Sequence, residues 1–596
     1  MTLRIPFLLT ALALAPVPAL AQPPAASAQP GSTSAAATSA DQRLRALYEA
    51  EWAWRREQEA RLEGRGPGAL ADHLPRVDPA SQQARLAYWQ RMLAELDRIP
   101  VAELSDEEKL NAAVFRTSLE EQIGDVRWRT YEAPFNSDSF FWTNVGASRS
   151  GFANEAEYRR YIGRLRDVPR YFDEHVTNMR TGLARGYSVP RVTLTGRDST
   201  IEPFTADGED NPLFAPFKRM PATIPAAMQA QLRAEGLAAM REAAVPAYHS
   251  LLAMFRGEYM QRARTSLGAS EMPDGEAYYQ AMIRKFTTLE ITPREIHDTG
   301  LREVARIRAE MEQVMRRANF TGTFAEFIHF LRTDPQFYVR TPAELLGAAS
   351  YVVMRANGQL NETFGTIPRF RHGVIPVPDE IAPIYTGGRG GLENCLFNTY
   401  NLPQRPLYTL PALALHECTP GHSFQAALAL EGPNRPEFRQ QTYFSGYGEG
   451  WGLYTEWLGT LMGIYQTPYE DFGRLTYEMW RAARLVIDTG IHAYGWDRER
   501  ARAYLRDNTA LSELELTNEI DRYISWPGQA FAYKLGELQI RRLRAEAERR
   551  LGTRFDQRGF HDAILALGSV PLPVLDERIQ AWIAAQERAA PRTNAP

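Results

Sequence analysis

The chain has 596 residues, of which 44% are hydrophobic and 23% charged, with a formal net charge of −4. That balance excludes a strongly basic field for nucleic acid or anionic lipid. The length allows several domains or one large two-lobed unit, and two cysteines are too few for a disulfide-framework protein.

The chain opens with Arg4, an apolar run from Phe7 to Ala15, and Ala19-Leu20-Ala21 before Gln22. A charged start, a short apolar core and an A-x-A site predict a cleavable signal peptide over 1–21. The mature protein is then expected to be periplasmic or secreted. The Pro/Ala/Ser/Thr-rich stretch 22–40 has no periodicity and reads as a disordered leader. No other segment approaches 18 consecutive apolar residues, so no membrane span is expected.

From residue 41 the periodicity is helical. Leu44, Leu47, Tyr48, Trp52 and Trp54 recur among charges over 42–65. Ser105 with Glu108 three residues later is a capping-box signature. Tyr158, Tyr161, Ile162, Leu165 and Tyr171 mark a helix over 154–185. The segment 126–150, with Phe135, Phe140, Phe141 and Trp142, reads as an aromatic loop packed on helices, in preference to a substrate contact. Residues 186–224 form a Pro/Gly-rich connection, and helices follow at 225–266, 274–290, 293–318, 323–332 and 342–357. A β-leaning passage at 364–392 contains Val374-Ile375-Pro376 and the glycine-rich 387–391. A short edge strand there, beside the motif described next, would be able to pair with an extended peptide. Further helices are expected at 422–432, 446–463, 469–506, 511–521, 527–549, 557–567 and 573–588, with Asp471, Ser512 and Asp556 as caps. The predicted class is mainly α: a large two-lobed helical fold with a deep cleft and a small β element near the metal motif. The lobes are drawn at 41–285 and 286–596.

His416-Glu417-Cys418-Thr419-Pro420-Gly421-His422 places two of the 10 histidines and a carboxylate within seven residues. Imidazoles are neutral zinc ligands, and an adjacent Glu can act as base toward water that the metal activates. The spacing is i, i+6, which on a regular helix points the second imidazole about 240° away from the first. Pro420 lacks an N–H and its ring collides with the carbonyl of His416, so the helix must open. Gly421 tolerates the resulting angles. A two-residue bulge would then bring His422 to the face of His416.

Cys395 and Cys418 can form a disulfide in an oxidising compartment, tethering the motif to the preceding loop. The alternative of two buried free thiols is the one the residues favour. Cys418, next to Glu417, is off the ligand face.

An open catalytic zinc site needs a third protein ligand. In a glutamate-zincin arrangement it is a Glu on the next helix, and Glu449 in Gly446-Tyr447-Gly448-Glu449-Gly450-Trp451-Gly452 suits that place. Its flanking glycines would permit close approach. Glu456, seven residues on, shares the face as a supporting partner or as the ligand itself. Asp488 and His492 stand at i, i+4 in an apolar helix, so they form either a structural pair or an adjunct of the site. His492 or Tyr523 would donate to the oxyanion of a tetrahedral intermediate, with Tyr533 as the next choice.

With Asn398-Thr399-Tyr400-Asn401-Leu402, Arg405-Pro406-Leu407-Tyr408, Leu410 to Gln425, Glu449-Gly450-Trp451, Asp488-Thr489-Gly490 with His492, and Trp526-Pro527-Gly528-Gln529-Ala530 with Tyr533-Lys534, the chain resembles the bacterial domain-of-unknown-function 885 family. The likeness runs from about 41 to 590. That family is similar to helical zinc peptidases of the thimet-oligopeptidase and carboxypeptidase Taq kind. The resemblance implies a cleft between two lobes, Zn²⁺ on His416, His422 and Glu449, and Glu417 as general base. The i+6 spacing departs from those peptidases.

These readings converge on an exported zinc metallopeptidase acting on short peptides. The alternatives are an isopeptide or cell-wall amidase using the same residues, and a non-catalytic helical binding protein whose metal is structural or absent.

Overall fold

The computed structural model describes residues 39–62, 67–145, 151–379, 382–432 and 435–589. The expected signal peptide and nearly all of the expected leader lie outside them. Ala40–Pro596 group as one compact unit, and its architecture is mainly α with a single three-stranded sheet among the described residues. None of the described helices is long and apolar enough to cross a membrane.

Most helices begin where the sequence carries a cap. Ser105 accepts from Glu108 N at the start of Asp106–Arg127, and Ser512 with Glu515 forms a full capping box ahead of Glu513–Ser525. Asp556 caps Gln557–Leu565. Asp471 does not cap its helix: Thr467 does, through Glu470 N, and the helix starts at Pro468. That helix ends at Tyr494, where Gly495 takes φ 66° and closes the last turn onto Gly490. The expected 469–506 helix is therefore two, Pro468–Tyr494 and Arg498–Asn508. The structure adds a helix at Pro79–Asp97, begun by an Asp78 cap and Pro79 in its first turn. The 186–224 connection is a chain of short 3₁₀ turns and one four-residue helix, Ala215–Lys218.

Two large cores divide the packing in an order that the chain does not follow. One joins the first three helices, through Leu44, Tyr48, Trp89 and Phe115, to the C-terminal helices, through Tyr447, Trp451, Ile540 and Leu575. The other is built almost wholly from residues 135–263. Here the aromatic loop is core: Phe135, Phe140, Phe141 and Trp142 are all buried, and Trp142 donates to Thr200 Oγ at 3.0 Å. Each fully buried Phe of this kind contributes about 1.5–3 kcal/mol. The 285/286 division falls inside the Gly275–Thr287 helix.

Three packing features position the functional site. The Pro293–Arg317 helix lies along Pro468–Tyr494, and Ser445–Leu461 lies along Ala532–Leu551. The second pair crosses at Gly450 and Gly536, where a Cβ on Gly450 would stand 2.6 Å from the Gly536 backbone. Only glycine permits that approach. Fully buried Lys534 clamps the same helix start, pairing with Glu478 at 2.9 Å, Glu537 at 2.9 Å and Glu303 at 3.1 Å. Burial alone would lower its pKa, but these carboxylates outweigh it and hold the ammonium charged. Deleting one partner of such a buried cluster costs about 3–5 kcal/mol.

The sheet has strands β1 (Gly373–Pro376), β2 (Gly388–Arg389) and β3 (Asn394–Phe397), in the order β1-β3-β2. β1 runs parallel to β3 and β2 antiparallel to it, with Gly388 opposite Phe397 and Arg389 opposite Leu396. β2 is an edge strand. The amide of Asn398 donates to the carbonyls of Ala382, Tyr385 and Thr386, bracing the loop that leads into it.

Candidate metal centre

The metal motif is a break between two helices instead of a bulge within one. Leu410–Glu417 ends, Cys418 to Gly421 turn the chain through a cis Thr419–Pro420 peptide, and His422–Glu431 begins. At Gly421 a Cβ would stand 1.8 Å from the His416 carbonyl oxygen, so no larger residue fits. The break is tied down from three sides. The Trp451 indole donates to Pro420 O at 2.9 Å. Ser423 Oγ donates to Glu417 O at 3.1 Å. Cys395 on β3 is disulfide-bonded to Cys418, so the free-thiol expectation is corrected. Both cysteines are buried and their Cα atoms lie 5.5 Å apart, within bridging reach.

With the helix broken there, His416 and His422 converge. Their ring centroids are 4.8 Å apart and nearly perpendicular. Ligand atoms of His416, His422 and Glu449 all lie within 4.8 Å of one another. Glu449 Oε2 is 3.4 Å from His416 Nε2 and 3.3 Å from His422 Nε2. Both rings thus present Nε2 to one carboxylate oxygen. Glu456 Oε1 meets the opposite nitrogen of His416, Nδ1, at 2.8 Å, while Arg481 supports that carboxylate at 3.3 Å. A carboxylate behind a ligating imidazole fixes its tautomer and raises its basicity. The glycines around Glu449 are partly accounted for by the helix crossing at Gly450. At Gly452 a Cβ would lie 2.6 Å from the His416 ring, so this glycine admits the imidazole.

Burial would lower the pKa of His416, but hydrogen bonds to Glu449 and Glu456 dominate and raise it to about 10. Burial would raise Glu449, yet His422 and His416 hold it well below the usual carboxylate range. Two imidazoles and a carboxylate stabilise a positive charge between them. The donor set, two nitrogens and one oxygen from three side chains, fits zinc.

Glu417 lies beside this cluster and is not one of its three convergent groups. Its Oε2 accepts from Gly390 N at 2.6 Å, immediately beyond β2. Gly390 is packed so closely that a Cβ would stand 2.1 Å from the Glu417 carbonyl oxygen and 2.7 Å from the Cβ of His422. The glycine-rich segment therefore positions the carboxylate by a backbone donor.

His492 and Tyr523 stand apart from this arrangement. His492 is fully buried, with Nδ1 accepting from Ala269 N at 3.0 Å and Nε2 donating to Tyr523 O at 2.8 Å. Both nitrogens are spent on backbone. Asp488 accepts from Tyr279 OH at 2.7 Å and from Gly528 N. The i, i+4 pair thus serves as two separate structural anchors. The Tyr523 hydroxyl donates to Glu519 and accepts from Trp480 and Arg484, deep in a core cluster. Two other tyrosines adjoin the cluster. Tyr533 lies face-on to His416, with ring centroids 6.1 Å apart. Tyr443, 52% exposed, donates to Glu449 Oε1 at 3.2 Å. The protein around its hydroxyl and the Glu449 carboxylate raise its phenol well above the ordinary 10. A Cβ on Gly448 would lie 2.3 Å from the Tyr443 ring, the local signal that an aromatic group crosses the helix there.

A mainly helical chain with two histidines and a glutamate from adjacent helices around one centre is, as a class, a helical protein with a candidate metal site. The chain belongs to the bacterial family of unknown function DUF885, whose profile matches residues 58–579. It is similar to the crystal structure of a "putative lipoprotein" from Colwellia psychrerythraea, with a TM-score of 0.85 and 26% identity over 92% of this chain and 100% of that one. A second structure, a "putative lipoprotein of unknown function" from Shewanella oneidensis, shares the fold at a TM-score of 0.64 and 17% identity, over 91% of this chain and 100% of that one. No curated protein matches.

Proposed function

We propose that this protein is an exported zinc-dependent hydrolase that cleaves peptide bonds of short peptides. The observation that carries the reading is the convergence of His416, His422 and Glu449 within 4.8 Å, beside a Glu417 carboxylate held by Gly390. His416 and His422 would hold the ion through Nε2 and Glu449 through a carboxylate oxygen, with Glu456 orienting His416. A zinc ion bound there lowers the pKa of water and polarises a carbonyl.

The remaining steps belong to the chain. Glu417, with Oε2 anchored, uses Oε1 to take a proton from the attacking water and returns it to the leaving amine. The phenol of Tyr443 or Tyr533 donates to the oxyanion. The edge of β2 next to Gly390 offers backbone groups with which an extended peptide pairs. The exposure of Tyr443 beside Glu449 supports access of a peptide to the centre. Export rests on the likeness to two proteins described as lipoproteins and on the N-terminal sequence pattern.

Glu417→Gln is the direct test. Zinc content should stay at the wild-type value while peptide cleavage falls by about 10²–10⁴-fold. Undiminished cleavage with zinc bound would sink the mechanism.

A further inference from the structure

Three arginines crowd one flank of the metal centre. Around the Tyr533 ring that faces His416, the Arg484 guanidinium lies 4.4 Å from the ring centroid and that of Arg481 lies 5.7 Å away. Arg522 Nη2 is 3.5 Å from the Tyr533 hydroxyl and donates to Gln529 at 3.0 Å. Three carboxylates serve them: Glu456, Glu519 and Asp138. Glu456 contacts Arg481, but it also accepts from His416. Glu519 pairs with Arg484 at 2.6 Å and stands 3.7 Å from Arg522. Asp138, from the aromatic loop, is 3.8 Å from Arg522 and 43% exposed. Each guanidinium keeps a buried nitrogen without a hydrogen bond: Arg481 Nε, Arg484 Nη1 and Arg522 Nε. Arg481 and Arg484 are themselves 4% and 1% exposed. Unsatisfied buried donors of this kind cost free energy and call for an acceptor.

Of the three, Arg522 alone is open to solvent, its side chain being 19% exposed. It therefore supplies the contact, with Arg481 and Arg484 adding positive potential around Tyr533. The flank of Arg389, on β2, is different. That guanidinium donates to Tyr385 OH at 3.4 Å, the first cause of its raised pKa, ahead of Glu417 and Glu449.

We propose that Arg522, with Tyr533 and backed by Arg484 and Arg481, forms a subsite for a carboxylate of the peptide substrate, and that this carboxylate is the free C-terminus. The proposal rests on the reading as a peptide hydrolase and adds to it the end from which the peptide is read. Guanidinium groups pair with carboxylates through parallel N–H donors; Arg522 Nε makes no hydrogen bond, with Asp138 3.8 Å away, and its side chain is the one of the three that reaches solvent. One phenol ring separates it from His416. An end held at Arg522 beside Tyr533 would place the C-terminal part of the peptide next to the metal centre. The enzyme would then remove short C-terminal pieces.

The test is calorimetric binding to the zinc-loaded Glu417→Gln protein, which separates recognition from turnover. The probes are trialanine, its C-terminal amide, and Ala-Ala-Glu amide, which carries a carboxylate only on its side chain. Trialanine should bind about 10- to 100-fold more tightly than its amide, the effect of one charge-assisted contact. Adding Arg522→Gln should erase that difference, and Arg522→Lys should restore part of it, which a merely structural role would not produce. Tight binding of Ala-Ala-Glu amide would overturn the assignment to the C-terminus. Equal affinity for acid and amide, or loss of the preference in Arg389→Gln but not in Arg522→Gln, would overturn the subsite while leaving peptide hydrolysis by the wild type standing. Hydrolysis failing while the free-acid preference persists would remove the hydrolase reading instead.

Discussion

His416 and His492 are both buried imidazoles on helices, each with an acidic residue close by in sequence. In His492, Nδ1 accepts from Ala269 and Nε2 donates to Tyr523, and burial depresses its pKa to about 3. In His416, Nδ1 meets Glu456, Nε2 faces Glu449, and the pKa rises to about 10 although it too is buried. One ring is fixed as a neutral strut with no lone pair left. The other keeps Nε2 aimed at a shared centre where its neighbours favour a cation. Burial and proximity to a carboxylate do not separate ligand from strut; the partner of each nitrogen does.

The largest effect that tests this contrast is Glu449→Ala. It should abolish zinc binding and peptide cleavage together, whereas His492→Ala should leave the zinc content and the activity of the folded fraction unchanged. Loss of zinc in His492→Ala would collapse the distinction. Next, Glu456→Ala should weaken zinc affinity by about 10–100-fold, measured by chelator competition, because it frees the far nitrogen of His416. His492→Ala should lower stability by about 1–3 kcal/mol in urea unfolding, since the Ala269 N–H and the Tyr523 carbonyl lose a buried partner.

A pH slope is a further test. Burial raises the Asp488 carboxyl from 3.8 to about 8, despite Tyr279 and Gly528. Between those values the folded chain holds a proton that the unfolded chain has lost, so this residue's contribution to stability declines as pH rises from about 4 to about 8. Asp488→Asn should flatten that decline in urea midpoints across the same range. His492 acts in the opposite sense. Its folded pKa of about 3 lies below its ordinary 6.5, so its contribution is lost as pH falls through that interval.

Much of the convergence of His416, His422 and Glu449 was legible in local sequence because these residues are concentrated there. Pro420 after His416 announced the break, and Glu449 with Glu456 announced one face of the following helix. What the break looks like was not legible. Its shape depends on Trp451, on Cys395 and on the backbone at Gly390, which only the fold brings to it. For the same reason His492 and Tyr523 read as site residues: an Asp four positions away is visible, while Ala269 and Trp480 as partners are not. Tyr443 left only a weak trace, in Gly448. The helical class followed from periodicity and caps. The pairing of the first three helices with the last ones did not, because core membership across some 300 residues leaves no local pattern.

The most direct test of the account is the zinc content of the purified full chain after chelation and reloading, set against His416→Ala, His422→Ala and Glu449→Ala. One tightly held zinc per wild-type chain, lost in each of the three variants while their helical content is kept, is the predicted result. Zinc that is absent from the reloaded wild type, or retained equally by all three variants, would contradict it.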